Sequence, residues 1–215
     1  MNTQITIYTD YVCPYCLLAE HIVEEVIQGQ DIGITWRPYE LRPEPVPTLR
    51  VEDPYLPQIW KQSIYPMAER LGVPIKLPTI SPQPRTDKAF EVFAMADENG
   101  HGHAFSMTAL KAFFQDEEDI GNPEVLANLG AKVGLEREAV LNALTKGTYR
   151  DRHREALRHA QEDMTIASVP TIVVGEQVFR GVPSHEALRR AIDQATAEAD
   201  HKQRLPDSTL PGNAH

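Results

Sequence analysis

The sequence predicts an α/β fold in which a β-α-β half and a β-β-α half are separated by a large all-helical insertion. Three observations predict it. Strand-like runs occur only towards the two ends of the chain, at 4–9 and 32–37 and again at 171–174 and 177–180. Between them, about 100 residues carry helical periodicity with hardly a strand signal. The only two cysteines of the 215 residues, Cys13 and Cys16, stand where the first strand gives way to the first helix.

Taken in order, Gln4 to Thr9 is β-branched and aromatic with no breaker, a buried strand. Asp10-Tyr11-Val12 is a short connection. Pro14 suits the first turn of a helix, where its missing N–H does no harm. Leu17, Leu18, His21, Ile22 and Val26 recur at helical spacing to about Gln28, and Gly29 ends the helix. Ile32 to Arg37 is the second strand, parallel to the first because a helix crosses between them. Pro38 to Pro54 is Pro-rich and irregular. Tyr55 to Gly72 reads as a helix kinked at Pro66, and Val73 to Pro84 as a Pro-punctuated loop. Helices then follow at 87–99, 104–115, 123–133 (with Asn122 as N-cap), 135–145 and 148–164. Thr171–Val174 and Gln177–Arg180 form a hairpin about Gly175-Glu176. Ser184 N-caps a last helix, and Asp200 to His215 is polar and breaker-rich, a flexible tail. β-α-β, helical insertion, β-β-α is the thioredoxin fold with helices between its halves. Residues 1–40 and 165–199 are then one discontinuous domain, and 41–164 the inserted helical one.

The bulk numbers narrow the function. A net charge of −10 argues against nucleic acid and anionic membranes as partners. No apolar run approaches the roughly 20 residues that span a bilayer. Met1-Asn2-Thr3-Gln4 has no basic n-region, so a cytoplasmic location is expected. Stable structural disulfides are uncommon there, and a C-x-x-C is catalytic or metal-binding.

Cys13-Pro14-Tyr15-Cys16 meets the needs of dithiol exchange. Cys13 sits at the helix start, where unpaired N–H groups and the dipole favour a thiolate. Cys16 lies one turn on, deeper, placed to attack a mixed disulfide. A chance pair of buried thiols and a zinc site are the rival readings. Zinc needs four ligands, and the nearest histidine is His21 on the same helix, so no metal is expected. The second mark is Val169-Pro170-Thr171. A proline entering a strand either starts it or follows a cis peptide bond. In a thioredoxin fold that loop lies against the C-x-x-C, and a cis proline exposes the backbone of Val169 to an extended substrate.

These residues carry a resemblance. Cys-Pro-Tyr-Cys after the first strand, Ser-Val-Pro-Thr-Ile-Val-Val far downstream and a Gly-Val-Pro-Ser-His-Glu-Ala-Leu helix resemble the DsbA-like thioredoxin-fold oxidoreductases. More narrowly they are similar to the FrnE branch, with its 2-hydroxychromene-2-carboxylate isomerases and kappa-class glutathione transferases. The resemblance implies a thiol–disulfide oxidoreductase or isomerase, with Cys13 as nucleophile, Cys16 as resolving thiol and Pro170 as the cis proline. Protein or small-molecule disulfides are the implied substrates. No tightly bound cofactor is expected, and glutathione is the implied redox co-substrate, since Pro-Tyr is also the glutaredoxin dipeptide. The alternative is a glutathione-dependent isomerase or transferase, but those carry Ser where this chain has Cys13. With two cysteines only, an internal relay through a second pair is excluded.

The family's buried acid beneath the cysteines is replaced by Ile7, which passes proton transfer to solvent or to Asp10. Asp10 reads equally as a loop acid capping the helix. Pro14, Tyr15, Val169 and Pro170 are the expected substrate contacts, with Tyr15 stacking on a ligand or facing solvent. His101 and His103 read as a solvated turn rather than a metal pair. Trp60, Tyr65 and Met67 read as core rather than groove, and Arg150, Arg152, Arg154 and Arg158 as a solvated helix face.

Overall fold

A computed structural model describes residues 3–204. Four strands form one mixed sheet in the order β2-β1-β3-β4, with β1 at Gln4–Thr9, β2 at Gly33–Pro38, β3 at Thr171–Val174 and β4 at Gln177–Arg180. β1 runs parallel to β2, with Ile7 opposite Trp36, and antiparallel to β3, with Ile7 opposite Ile172. Gly175 takes φ +56°, as the first residue of a tight two-residue hairpin turn can when it has no Cβ.

Helix α1 (Pro14–Ile27) crosses between β1 and β2. It is buried on most of its circumference because the sheet is not its only neighbour: α5 (Gly102–Phe114) and α9 (His185–Arg204) also pack on it. The expected kinked helix is α2 (Tyr55–Ile59), a π turn (Trp60–Ile64) and α3 (Tyr65–Leu71). Pro66 has no N–H to continue an α ladder, and the Tyr65 N–H reaches back five residues to the Trp60 carbonyl. α4 (Asp87–Glu98), α5, α6 (Pro123–Lys132), α7 (Arg137–Lys146) and α8 (Arg150–Arg158) build the rest of the insertion. α8 runs on into a second π turn at His159–Asp163. Asn122 caps α6 through the Glu124 N–H, and Ser184 accepts from the Ala187 N–H at the start of α9.

Two expectations change here. α9 continues to Arg204, past the expected boundary at Asp200, because no breaker precedes Pro206. The rest of the tail lies outside the described residues. The arginines of α8 are exposed but paired: Arg150 with Glu91, and Arg152 with Asp97 and Glu98, tie α8 to α4.

One hydrophobic cluster runs through both parts of the chain. Ile5, Ile7, Leu18 and Ile172 from the sheet and α1 are continuous with Phe90, Phe105, Phe113 and Phe114 from the insertion. Trp60 is 1% exposed, with Tyr65 edge-on at 5.3 Å and Phe114 tilted at 5.9 Å. Trp60→Ala is expected to cost about 3–5 kcal/mol. Thermal unfolding of the variant checks this, with a fall in Tm of roughly 6–20 °C for a chain of this size.

Candidate active site

The geometry at Cys13 follows from its place between a strand and a proline. It is the N-cap of α1, with φ −95° and ψ 109°, and Pro14 opens the helix. The Cys13 N–H donates to the Asp10 carbonyl and the Cys16 N–H to the Cys13 carbonyl, both at 3.0 Å, which winds the motif tightly. Both cysteines are free thiols, 4% and 1% exposed. The Cys13 S–H donates to the carbonyl of Val169 at 3.5 Å. The Val169–Pro170 peptide is cis. The Pro170 carbonyl accepts from the Gly181 N–H at 2.8 Å, and the Thr171 hydroxyl bonds the Ser168 carbonyl at 2.7 Å, so the loop facing Cys13 is fixed at both ends.

The two thiols are not equivalent. Burial pushes the Cys16 thiol well above the ordinary cysteine value, and the neighbouring Cys13 pushes it further. The Thr9 hydroxyl and the Asp10 N–H oppose this in part. Cys16 thus holds its proton in the resting dithiol.

Asp10 is 1% exposed. Its Oδ2 accepts the Leu41 N–H at 2.7 Å, whereas Oδ1 has no partner at hydrogen-bond geometry. Burial raises its carboxyl to about 6, against the favourable Leu41 N–H and Thr86 hydroxyl. The nearby Glu40 charge raises it further. The carboxylate does not cap α1, as one reading of the sequence had it. It reaches the opposite way, to the segment that leaves β2.

Asp10, Cys13, Pro14, Tyr15 and Val169 share the wall of one cavity of about 300 Å³. Cys16 and Pro170 do not line it. The insertion supplies the facing side, where Leu56, Ile59, Trp60 and Ile64 form an apolar surface. Trp60 is therefore both core and pocket wall, whereas Tyr65 turns away and accepts the Leu77 N–H. The Tyr15 hydroxyl donates to Ser63 in the π turn at 2.7 Å, so the ring is held against the insertion. Arg85 pins the strap after β2, donating to the carbonyls of Arg42 at 2.7 Å and Val46 at 3.0 Å and pairing with Glu44 at 2.6 Å. Arg42 lines the cavity with no carboxylate at ion-pair distance among the described residues.

Arg42, Gln83, Arg85 and Thr86 were missed in the sequence. They lie in the irregular segments around the prolines, where no periodicity marks a face. The second buried acid, Glu20, was missed too. Its place one turn after Cys16 on the same helix was the available signal, masked by the apolar neighbours. His103 accepts the Trp36 Nε1–H at 3.1 Å. Among the described residues no three His, Cys, Asp or Glu side chains converge on a metal position, and no helix is long and apolar enough to cross a membrane.

Comparison with known proteins follows the same lines. The family model of the DSBA-like thioredoxin domain matches residues 4–193. The uncharacterized protein YwbO of Bacillus subtilis (strain 168) is 42% identical over 193 residues, 89% of this chain and 96% of that protein. The probable DsbA oxidoreductase SCO1869 of Streptomyces coelicolor superposes with a TM-score of 0.76 at 20% identity, over 99% of this chain and 96% of the other. A 2-hydroxychromene-2-carboxylate isomerase gives 0.71 at 16%, over 93% and 97%. The cytosolic disulfide reductase DsbM of Pseudomonas aeruginosa, solved with GSH, gives 0.64 at 15%, over 94% and 100%. At these identities the three structures share the fold, and it is the family match and the identity to YwbO that settle membership: the chain belongs to the DSBA-like thioredoxin domain family.

Proposed function

We propose that the chain is a thiol–disulfide oxidoreductase that exchanges disulfides of small molecules through Cys13 and Cys16. One observation carries the reading. Cys13 caps a helix 3.5 Å from the Val169 carbonyl, on the wall of a 300 Å³ cavity that leaves it only 4% exposed. A space of that size is at the low end for ligand sites and admits a tripeptide-sized molecule, not a folded protein surface.

Cys13 as thiolate attacks one sulfur of the substrate disulfide. A Cys13–substrate S–S bond forms, the substrate S–S bond breaks, and the leaving thiolate takes up a proton. The Cys16 thiol then gives its proton to a base and attacks the Cys13 sulfur. The Cys13–Cys16 disulfide forms, the Cys13–substrate S–S bond breaks, and the second substrate sulfur leaves as a thiolate that takes up the proton from that base. The substrate is reduced by two electrons and the dithiol oxidised, and the reverse sequence oxidises a pair of thiols. Asp10 suits the base: the residue lines the pocket, its buried Oδ1 has no hydrogen-bond partner, and a carboxyl near 6 both accepts and releases a proton at neutral pH.

Glutathione fits the donor set as co-substrate. The Val169 backbone would pair with its extended chain, and Arg42 with a carboxylate. The DsbM neighbour solved with GSH supports the choice. The isomerase alternative shares the fold, but a second thiol behind the first serves disulfide chemistry and has no task in isomerisation.

Reduction of glutathione disulfide and of insulin, each followed with Cys13→Ser and Cys16→Ser, tests the reading. Turnover of the small disulfide should exceed that of insulin. Cys13→Ser should abolish it, and Cys16→Ser should accumulate a glutathione adduct on Cys13 visible by mass. Faster insulin reduction, or full activity in Cys13→Ser, would sink the proposal.

Asp10 gives a second test. A carboxyl whose folded value, about 6, lies above its ordinary 3.8 binds its proton more tightly in the folded protein. It therefore costs stability progressively as pH rises through that window, by about 3 kcal/mol above it. Asp10→Asn should be more stable than the parent at pH 8, with the gain disappearing below pH 4 in denaturation curves. The same variant should resolve the mixed disulfide about 10²-fold more slowly at pH 7.

A further inference from the structure

A second buried polar pair stands one residue from the site. Glu40 Oε1 and His153 Nε2 are 2.6 Å apart, and the two side chains are 7% and 3% exposed. Glu40 comes two residues after the end of β2, and His153 from α8, 113 positions along the chain. Nothing in thiol–disulfide exchange itself uses either group.

Their neighbours show where the pair acts. Glu40 immediately precedes Leu41, whose N–H makes the 2.7 Å bond to Asp10 Oδ2. The His153 ring stacks on Phe90 with centroids 5.3 Å apart and an interplanar angle of 16°. Phe90 in turn stacks on Tyr11 at 4.5 Å and 28°. Tyr11 follows Asp10 directly, and its hydroxyl is tied to Ser106 at 2.9 Å. From His153, then, one arm runs through Glu40 to the donor on the Asp10 carboxylate. The other runs through two stacked rings to the backbone beside it.

We propose that Glu40 and His153 are positioning residues of the dithiol centre, holding the Leu41 N–H on Asp10 and fixing a carboxylate charge behind it. This rests on the reading of Asp10 as the proton carrier. Besides the Leu41 N–H, the Val12 N–H and the Thr86 hydroxyl before α4 favour the charged form of the same carboxyl, while Cys13, Arg42 and Arg85 line the same cavity. The phenols of Tyr11 and Tyr39 are also within electrostatic reach. Around His153 stand Glu91 of α4 and its partner Arg150. Of these, Glu40 is the acidic neighbour whose charge adds to the Asp10 shift, so its removal has a defined sign: Asp10 loses its proton at lower pH.

The test is the pH dependence of Cys13 alkylation by iodoacetamide from pH 4 to 9, read by mass, beside turnover of glutathione disulfide. Glu40→Gln, a replacement of the same shape, should move the lower inflection, near pH 6 in the parent, to lower pH. His153→Phe keeps the stack and loses the hydrogen bond. It should lower turnover about tenfold, and His153→Gln, whose amide can still donate to Glu40, should restore most of it. In an Asp10→Asn background neither change should have any further effect. Profiles of Glu40→Gln and His153→Phe that superimpose on the parent, with only Tm lowered, would show a purely structural pair and overturn the proposal. If His153→Phe does not fold, the shift in Glu40→Gln decides alone. An unchanged profile in Asp10→Asn removes the Asp10 reading and this one together. A changed profile there with silent Glu40→Gln removes this one only.

Discussion

The Asp10 carboxylate is taken out of water between the start of α1 and the strap after β2, and its bond to the Leu41 N–H joins the two. Most of the site can be traced to that burial. An isolated carboxylate in such a place is costly, and the cost is met partly by the N–H donor and the Thr86 hydroxyl and partly by holding on to a proton. Leu41 can donate only if the chain turns sharply on leaving β2. The turn is secured by Glu40 against His153, and the next stretch of the strap by Arg85 against three groups of residues 42–46. The roof over Cys13 is thus built outward from a single buried acid.

The insertion does more than cover the sheet. Its π turn puts an additional residue into the helix ahead of Pro66, and Trp60, Ser63 and Ile64 all come from that turn. Trp60 and Ile64 face the cavity, and Ser63 receives the Tyr15 hydroxyl. The dipeptide between the cysteines is therefore set by the insertion as well as by α1. Under the proposed function, a substrate entering the cavity would touch the insertion on one side and the Cys13 thiol on the other, which would let residues remote from the thioredoxin-like half choose it. Trp60 shows how closely packing and selection are joined, since the same ring fills the core against Phe114 and closes the pocket.

How much of this was legible in the sequence depends on whether a residue announces itself through local pattern. Cys13 and Cys16 do, because a proline at the helix start and a strand before it fix their geometry. Val169-Pro170 does, because a proline at a strand entry is constrained whatever surrounds it. The strands and the inserted helices were readable to within a few residues from their periodicity. The far wall of the site was not. Arg42, Gln83, Arg85 and Thr86 lie in segments whose shape is set by prolines and by contacts across tens of residues. His153 looked like one polar residue in an arginine-rich helix, though it is buried against Glu40. Asp10 was visible as a neighbour of the motif, but its direction was not: only the fold of the strap shows that its carboxylate points to Leu41 and not to the helix start.

The two buried acids beside α1 show why one of them, and not the other, suits proton transfer. Glu20 is 1% exposed, both its oxygens lack partners, and Glu24 adds a like charge nearby. Burial first, and then that charge, raise its carboxyl well above the ordinary range. It also lies away from the cavity wall. Asp10 is as deeply buried, but the Leu41 N–H and Thr86 hydroxyl stabilise its charged form enough to bring it back to about 6. A donor or two separates a carboxyl pushed far up by burial from one brought back towards neutrality. The Asp10 N–H also favours the charged form of the Cys16 thiol, against the larger effect of burial. The residue that holds the strap in place is also the one that the proposed exchange reaction would use as its base, and the Leu41 N–H serves both properties.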